Sequence, residues 1–274
     1  MPELPQLAAL AQELRYRIVA NSSRTGTPHL GSCLSCADIL ATLYFDFLRL
    51  DPQHPDQSGR DRFILSKGHG APALFQVLAM RGFYPFDRLA DYGQNGSIFG
   101  EHPPTPDHLP GIEAATGSLG HGLPIGLGIA LAGRTRQQDY RVVVVVGDGE
   151  CNEGSIWEAA LLAAANRVAN LCVIVDFNKW QATGRSREIM SLDPLADKWR
   201  AFGWSTLEID GHDFVQIRQA LEQFAATPER PTAIIANTVK GSGVSFMEDD
   251  NNWHYRIPTA AEVEKARQEL GVAL

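Results

Sequence analysis

The chain is short of several things, and each shortage excludes a class of protein. Its 274 residues hold only four cysteines, Cys33, Cys36, Cys151 and Cys172, too few for a disulfide scaffold of this length. Cys33 and Cys36 form one CxxC with no second pair to complete a zinc site, and they are read as two small helix residues with free thiols. Positive charge is in deficit. The formal net charge is -8 with no long basic patch, which argues against a nucleic-acid partner. No apolar run is long enough to span a bilayer, so no membrane partner is expected. The opening MPELPQLAALAQ has no basic region ahead of an apolar one, so it is not an export signal, and a cytoplasmic setting is expected. No GxGxxG follows a strand and no GxxxxGK[ST] exists, so the usual dinucleotide and P-loop fingerprints are missing. No internal repeat, linker or low-complexity segment breaks the chain. With 44% hydrophobic and 20% charged residues, one domain over residues 1–274 is the economical reading.

What is present is a strand–helix–strand unit. Val142 to Val146 reads VVVVV and is followed by Gly147, Asp148 and Gly149. Leu171 to Val175 leads into Asp176, Phe177 and Asn178. Both runs read as buried parallel strands, with a helix over Glu153–Arg167 between them. Further helices are expected over 6–21, 36–47, 194–202, 214–224 and 260–270, and further strands near 206–209 and 233–236. ILSKGHGAPALFQVLAMRG reads as a short strand, a glycine loop and a helix. TPHLGS reads as a loop, and Gly93–Gly111 as a long irregular one. The sum is an α/β fold, three αβα layers around a mostly parallel sheet.

Asp148 and Asn178 then lie at the same edge of the sheet. A carboxylate, an amide oxygen and a backbone carbonyl near Trp180, with phosphate oxygens and water, make an octahedral Mg²⁺ set. An isolated GDG is equally a plain turn after a strand. The glycine-rich TGSLGHGLPIGLGIALAG is unusual for a helix and implies close backbone packing or a nearby ligand.

VVVVVGDGECNEGSIWEAALLAAANRVANLCVIVDFNKW resembles the thiamine-diphosphate motif of the transketolase family. TPHLGS, DRFILSKGHGAPALF, GEHP, LPGIEAATGSLGHGLPIGLGIALA and TVKGSGVSFMEDDNNWH follow the family's order over about residues 11–258. The resemblance implies thiamine diphosphate and Mg²⁺ as cofactors and the thiamine-diphosphate-binding fold. It implies Asp148, Asn178 and the Trp180 carbonyl as metal ligands. Gly147 and Gly149 match the glycines beside the diphosphate, and Gly117, Ser118 and Leu119 the loop beside the cofactor rings. Glu153 matches an acidic residue of a polar network near the dimer interface. His29, His69, His102 and His254 match histidines around the reacting end, His69 also near the diphosphate. His121 is a contact or a helix cap. Lys240 faces the substrate or diphosphate, or is a solvated loop lysine. His54, His108 and His212 read as surface histidines. Tyr255 stands where the family usually has glycine.

Full-length transketolases continue into a pyrimidine-binding domain, which supplies the glutamate that activates the cofactor, and a C-terminal domain. This chain resembles the diphosphate-binding half alone. The resemblance therefore implies the N-terminal subunit of a split transketolase, with a separate C-terminal partner in an α₂β₂ assembly. The implied reaction moves a two-carbon ketol unit between sugars or sugar phosphates. Two copies are expected to meet across the Glu153 helix, its small residues Ala159, Ala160, Ala163, Ala164 and Ala165 allowing close approach, with the Gly117–Gly128 face also covered. The alternatives are a deoxyxylulose-phosphate synthase type, the α subunit of a 2-oxo-acid dehydrogenase, and a non-catalytic regulatory half; HLGS, SKGHG and GEHP favour ketol transfer.

Overall fold

The structure, a computed structural model, describes residues 2–227 and 229–273. Five strands form one sheet: β1 (Arg62–Leu65), β2 (Val142–Gly147), β3 (Leu171–Phe177), β4 (Ser205–Asp210) and β5 (Thr232–Asn237), in the spatial order β1-β2-β3-β5-β4. Every pairing is parallel, so the sheet is wholly rather than mostly parallel. The helices are α1 (Leu4–Thr25), α2 (Leu30–Ser35), α3 (Ala37–Thr42), α4 (Ala71–Arg81), α5 (Gly122–Thr135), α6 (Gly154–Ala165), α7 (Ser186–Ile189), α8 (Leu195–Ala201), α9 (Phe214–Ala225) and α10 (Ala260–Glu269). Among the described residues none is long and apolar enough to cross a membrane.

The β-branched run of β2 explains its central place. Alternate side chains leave opposite faces of a strand. Val143 and Val145 enter a core shared with Leu14 of α1, Leu40 of α3 and Phe75 of α4. Val142, Val144 and Val146 enter a second core with Leu127 of α5, Ile156 of α6 and Trp199 of α8. A strand apolar on both sides needs both faces covered, which yields the three expected layers.

The glycine-rich helix has a steric cause. A Cβ on Gly126 would stand 2.5 Å from Val144 Cγ2, and one on Gly133 would stand 2.7 Å from the Tyr140 ring. Bare backbone lets α5 lie directly on the sheet. Gly128 has nothing within 4 Å on its open side.

Two expectations fail here. The helix expected over 36–47 starts earlier and is broken. Leu30, placed in a loop by sequence, opens α2, because His29 at φ 73° turns the chain into it. Cys36 separates α2 from α3, and 43–47 closes with wider π-helical turns. Three of the five small residues expected at an α6 interface also face the sheet instead, while Ala164 is half-buried and Ala165 exposed. Ala159, Ala160 and Ala163 are buried on the sheet, and the Ala160 carbonyl accepts the Trp204 indole N–H at 2.9 Å. Their size is set by helix–sheet approach. The outward large apolar residues are Leu161 and Leu162, 60% and 51% exposed.

Candidate functional site

The carboxyl ends of the strands coincide. Gly147 of β2 is level with Asp176 of β3, and Asp176 with Ala236 of β5. Such an edge, where chain leaves the sheet into loops, is where open α/β sheets hold ligands. A cavity of 280 Å³ lies there, lined among others by Gly147, Asp148, Gly149, Asn178, Trp180 and Gln181.

Its floor is a charge network that sequence reading missed. Lys67, immediately after β1, is 1% exposed; its ammonium donates to the Ser32 carbonyl at 2.6 Å and to Asp176. Asp176 is fully buried and also accepts from the Ser35 hydroxyl at 2.6 Å and the Thr238 hydroxyl at 2.5 Å. Burial alone would raise the Asp176 carboxyl, but the Lys67 ammonium and these donors outweigh it and hold it below the usual range. The Asn178 amide nitrogen is 3.3 Å from both Ser35 Oγ and Asp176 Oδ2, while its Oδ1 accepts the Trp180 N–H at 3.0 Å. The network thereby fixes which end of the amide is oxygen.

Asp148 is 1% exposed, and its carboxylate accepts from the Ser186 hydroxyl at 2.7 Å. Burial pushes it up to about 6, with Asp176 adding to the rise and Ser186 opposing it. Glu150, a second residue that sequence reading passed over, ties three loops together. It accepts from Ser66 Oγ at 2.5 Å, from Gly120 N at 2.8 Å and from Gly147 N at 3.1 Å. The loop at Gly117 is thus fixed to the end of β2.

At the other end of the cavity stand three imidazoles. The rings of His29 and His254 are 5.0 Å apart, His29 and His69 5.4 Å, and His69 and His254 5.8 Å. Burial lowers all three, and neighbouring cations and imidazoles add to it: His29 to about 4, His254 to about 3, and His69 well below its ordinary value. At neutral pH each is uncharged and offers one N–H and one lone pair. His29 Nδ1 is buried with no partner among the described residues. The unfolded chain protonates these rings near 6.5, the folded one only near 4 and 3 for His29 and His254. Their contribution to stability is therefore complete above 6.5 and is lost as pH falls toward 4. In NMR titrations their ring signals should move with midpoints well below 5; a midpoint near 6.5 for either would contradict this packing.

His102 is exposed and packs on the backbone of Gly117, where a Cβ would meet its ring at 2.9 Å. Leu119 lines the cavity. Ser118 and Glu153 are not among its lining residues; both are exposed, and Glu153 stands at the start of α6 without a side-chain cap bond. His121 precedes α5, but its ring does not cap the helix and instead lies 3.1 Å from the Leu119 carbonyl. Lys240 is no solvated loop residue. It is fully buried, with its ammonium 2.6 Å from Asn251 Oδ1 and 3.1 Å from His254 Nδ1. His212, read as surface decoration, is bonded into the interior between Asp38 and Val239. Cys33 and Cys36 are buried free thiols, as read from sequence.

The donor set suits a diphosphate with a hard cation. Asp148 and Asn178 present oxygen, and no group of three or more His, Cys, Asp or Glu among the described residues forms a softer metal site. Gln181 Nε2 and His29 Nδ1, on two residues that line the cavity, lack partners among the described residues. A Cβ on Gly147 would have nothing closer than 3.8 Å, so its backbone is open to the cavity.

The comparisons with known proteins agree with this geometry. The model of the family "Transketolase, thiamine diphosphate binding domain" matches residues 8–273. One of the subunits of an apulose-4-phosphate transketolase from Phocaeicola vulgatus is 39% identical over 268 residues, 98% of this chain and 95% of its own length. A 6-deoxy-6-sulfo-D-fructose transketolase subunit from a Clostridium species is 40% identical over 87% of this chain and 86% of its own length. The crystal structure of Campylobacter jejuni transketolase superposes with a TM-score of 0.90 at 28% identity; 99% of this chain is covered, but only 43% of that one. With its family model matched almost end to end, this chain belongs to the transketolase family as a thiamine-diphosphate-binding domain.

Proposed function

We propose that the chain is the N-terminal subunit of a split transketolase that moves a two-carbon ketol unit between sugars or sugar phosphates. The observation that carries this is one cavity lined both by oxygen-bearing side chains at the strand ends and by three clustered neutral imidazoles. The near end-to-end match to proteins named as transketolase subunits supports the split.

Asp148, the Asn178 Oδ1 and the Trp180 carbonyl would hold Mg²⁺, and the open backbone at Gly147 would admit the diphosphate, with Gly149 beside it packed under the Gln181 side chain. Thiamine diphosphate, when bound, supplies the carbanion chemistry needed to cut and remake a carbon–carbon bond beside a ketose carbonyl. His29 and His254, uncharged and side by side, take a proton from a sugar hydroxyl and return it. His69 serves both the diphosphate and the substrate channel, and His102 holds donor hydroxyls. Lys67 and Lys240 place positive charge beneath and beside the diphosphate. The glutamate that activates the cofactor comes from the pyrimidine-binding domain of the partner subunit. The assembly is α₂β₂: exposed Leu161, Leu162 and Ile125 form an apolar face of the kind that subunits cover. Four unpaired cysteines suit a reducing, cytoplasmic compartment.

Assay of the co-expressed pair with ketose donors and aldose acceptors tests the reading. Each turnover should shorten one sugar by two carbons and lengthen the other by two. Consumption of pyruvate with no ketol transfer would instead place the enzyme with the deoxyxylulose-phosphate synthase or 2-oxo-acid dehydrogenase type.

A further inference from the structure

Lys240 is held against the cleft residue His254 by a turn whose two ends are gripped from behind. His212 follows β4 in a turn that crosses the end of β5. Gly211 N donates to the Asn237 carbonyl at 2.8 Å, and a Cβ on Gly211 would stand 2.4 Å from Thr238 Cγ2. His212 Nε2 accepts the Val239 N–H at 2.9 Å, and Nδ1 is 2.7 Å from Asp38 Oδ2. A ring nitrogen that accepts from an amide carries no proton, so the single proton of the neutral ring sits on Nδ1 and is donated to Asp38. The same carboxylate is bound by both Arg15 terminal nitrogens, at 2.8 and 2.5 Å. Arg15 Nε in turn donates to the Ser242 carbonyl at 2.8 Å. One buried carboxylate thus backs two arms: His212 holds the amide before Lys240, and Arg15 holds a carbonyl after it. Between them Gly241 N donates to the Gly31 carbonyl at 3.0 Å. The Lys240 stem crosses Gly31 so closely that a Cβ there would stand 2.8 Å from Lys240 Cγ.

We propose that Arg15, Asp38 and His212 form a clamp on the 239–242 turn that holds the Lys240 ammonium against His254 behind the wall of the cleft, with His212 acting as a positioning residue remote from the reacting atoms. The clamp is a statement about Lys240; only its consequence for cofactor affinity rests on the function proposed above.

The test uses the full-length chain and acetic anhydride, with labelling of each lysine read by peptide mass spectrometry. His212→Asn keeps a donor toward Asp38 but is too short to accept from Val239. His212→Gln reaches the Nε2 position and keeps that acceptor. His212→Asn should label Lys240 about 10-fold faster, the scale of one lost buried hydrogen bond, while His212→Gln stays near the unsubstituted rate. Lys67, equally buried but outside the clamp, is the internal control and should remain unlabelled in both. Arg15→Lys, which keeps the charge on Asp38 but loses the Ser242 carbonyl, should reproduce the Lys240-selective rise even if His212→Asn does not fold. Parallel acceleration of Lys67 and Lys240 would mean general loosening and overturn the clamp, as would an unchanged Lys240 rate. Labelling needs no cofactor. If Lys240 labelling rises while thiamine diphosphate affinity of the co-expressed assembly is unchanged, the clamp stands and the cofactor role of Lys240 falls.

Discussion

Asp148→Ala is expected to weaken Mg²⁺-dependent thiamine diphosphate binding by about 100-fold or more, since even loss of a residue supporting a metal ligand typically weakens metal binding 10–100-fold. Asp148 and Asn178 are the proposed side-chain ligands at the strand ends, and of the two only Asp148 brings a charge. The fold should tolerate the change. Asp148 is buried and its side chain accepts one hydrogen bond, from Ser186. A buried carboxylate with so little support contributes little to the stability of the cofactor-free protein, so the variant should stay within about 1 kcal/mol of its parent. The ligand-linked term separates the two effects. At a cofactor concentration 100 times the parent's Kd, stabilisation of about 2.7 kcal/mol should shrink to about 0.4 kcal/mol. Asp148→Asn keeps an oxygen and should fall between. Calorimetric titration and thermal melting of the co-expressed assembly, with Mg²⁺ and with a chelator, check both. Unchanged affinity would place the metal elsewhere.

The centre of the sheet was legible because β2 and β3 are runs of residues apolar on both faces. VVVVV before Gly147 and LCVIV before Asp176 mark two strands and align their ends. The metal-ligand candidates follow from that alignment without any contact being known. The supporting charges were not legible. Lys67 lies 109 residues from Asp176, and Asp38 lies 174 from His212. Nothing local in either segment announces a partner, and a single chain gives no pairing signal at that range. SKGHG drew notice to His69, yet its lysine is the more deeply buried of the two. The alanine-rich α6 misled for another reason. Close approach to a sheet and close approach to a second helix both demand small residues. Only the structure distinguishes them, by burying Ala159, Ala160 and Ala163 and exposing Leu161 and Leu162. The start of α2 was missed because Thr-Pro and Gly-Ser read as loop, and the left-handed His29 that launches the helix carries no sequence signature.

Physical separation of the subunits should abolish turnover, which makes it the largest effect of all. On the proposed function, this chain brings the imidazoles and the residues that would hold the diphosphate and metal, and a pyrimidine-binding partner would bring the activating glutamate. Losing one essential proton-transfer group typically reduces rates by about 10²–10⁴-fold, and loss of the cleft's other wall adds to that. Ketol transfer should therefore be measured with this chain alone, with the partner alone, and with the two recombined in the presence of thiamine diphosphate and Mg²⁺. The account predicts no measurable transfer from either chain and full activity on recombination at equal stoichiometry. Substantial transfer by this chain alone, rigorously purified, would contradict it.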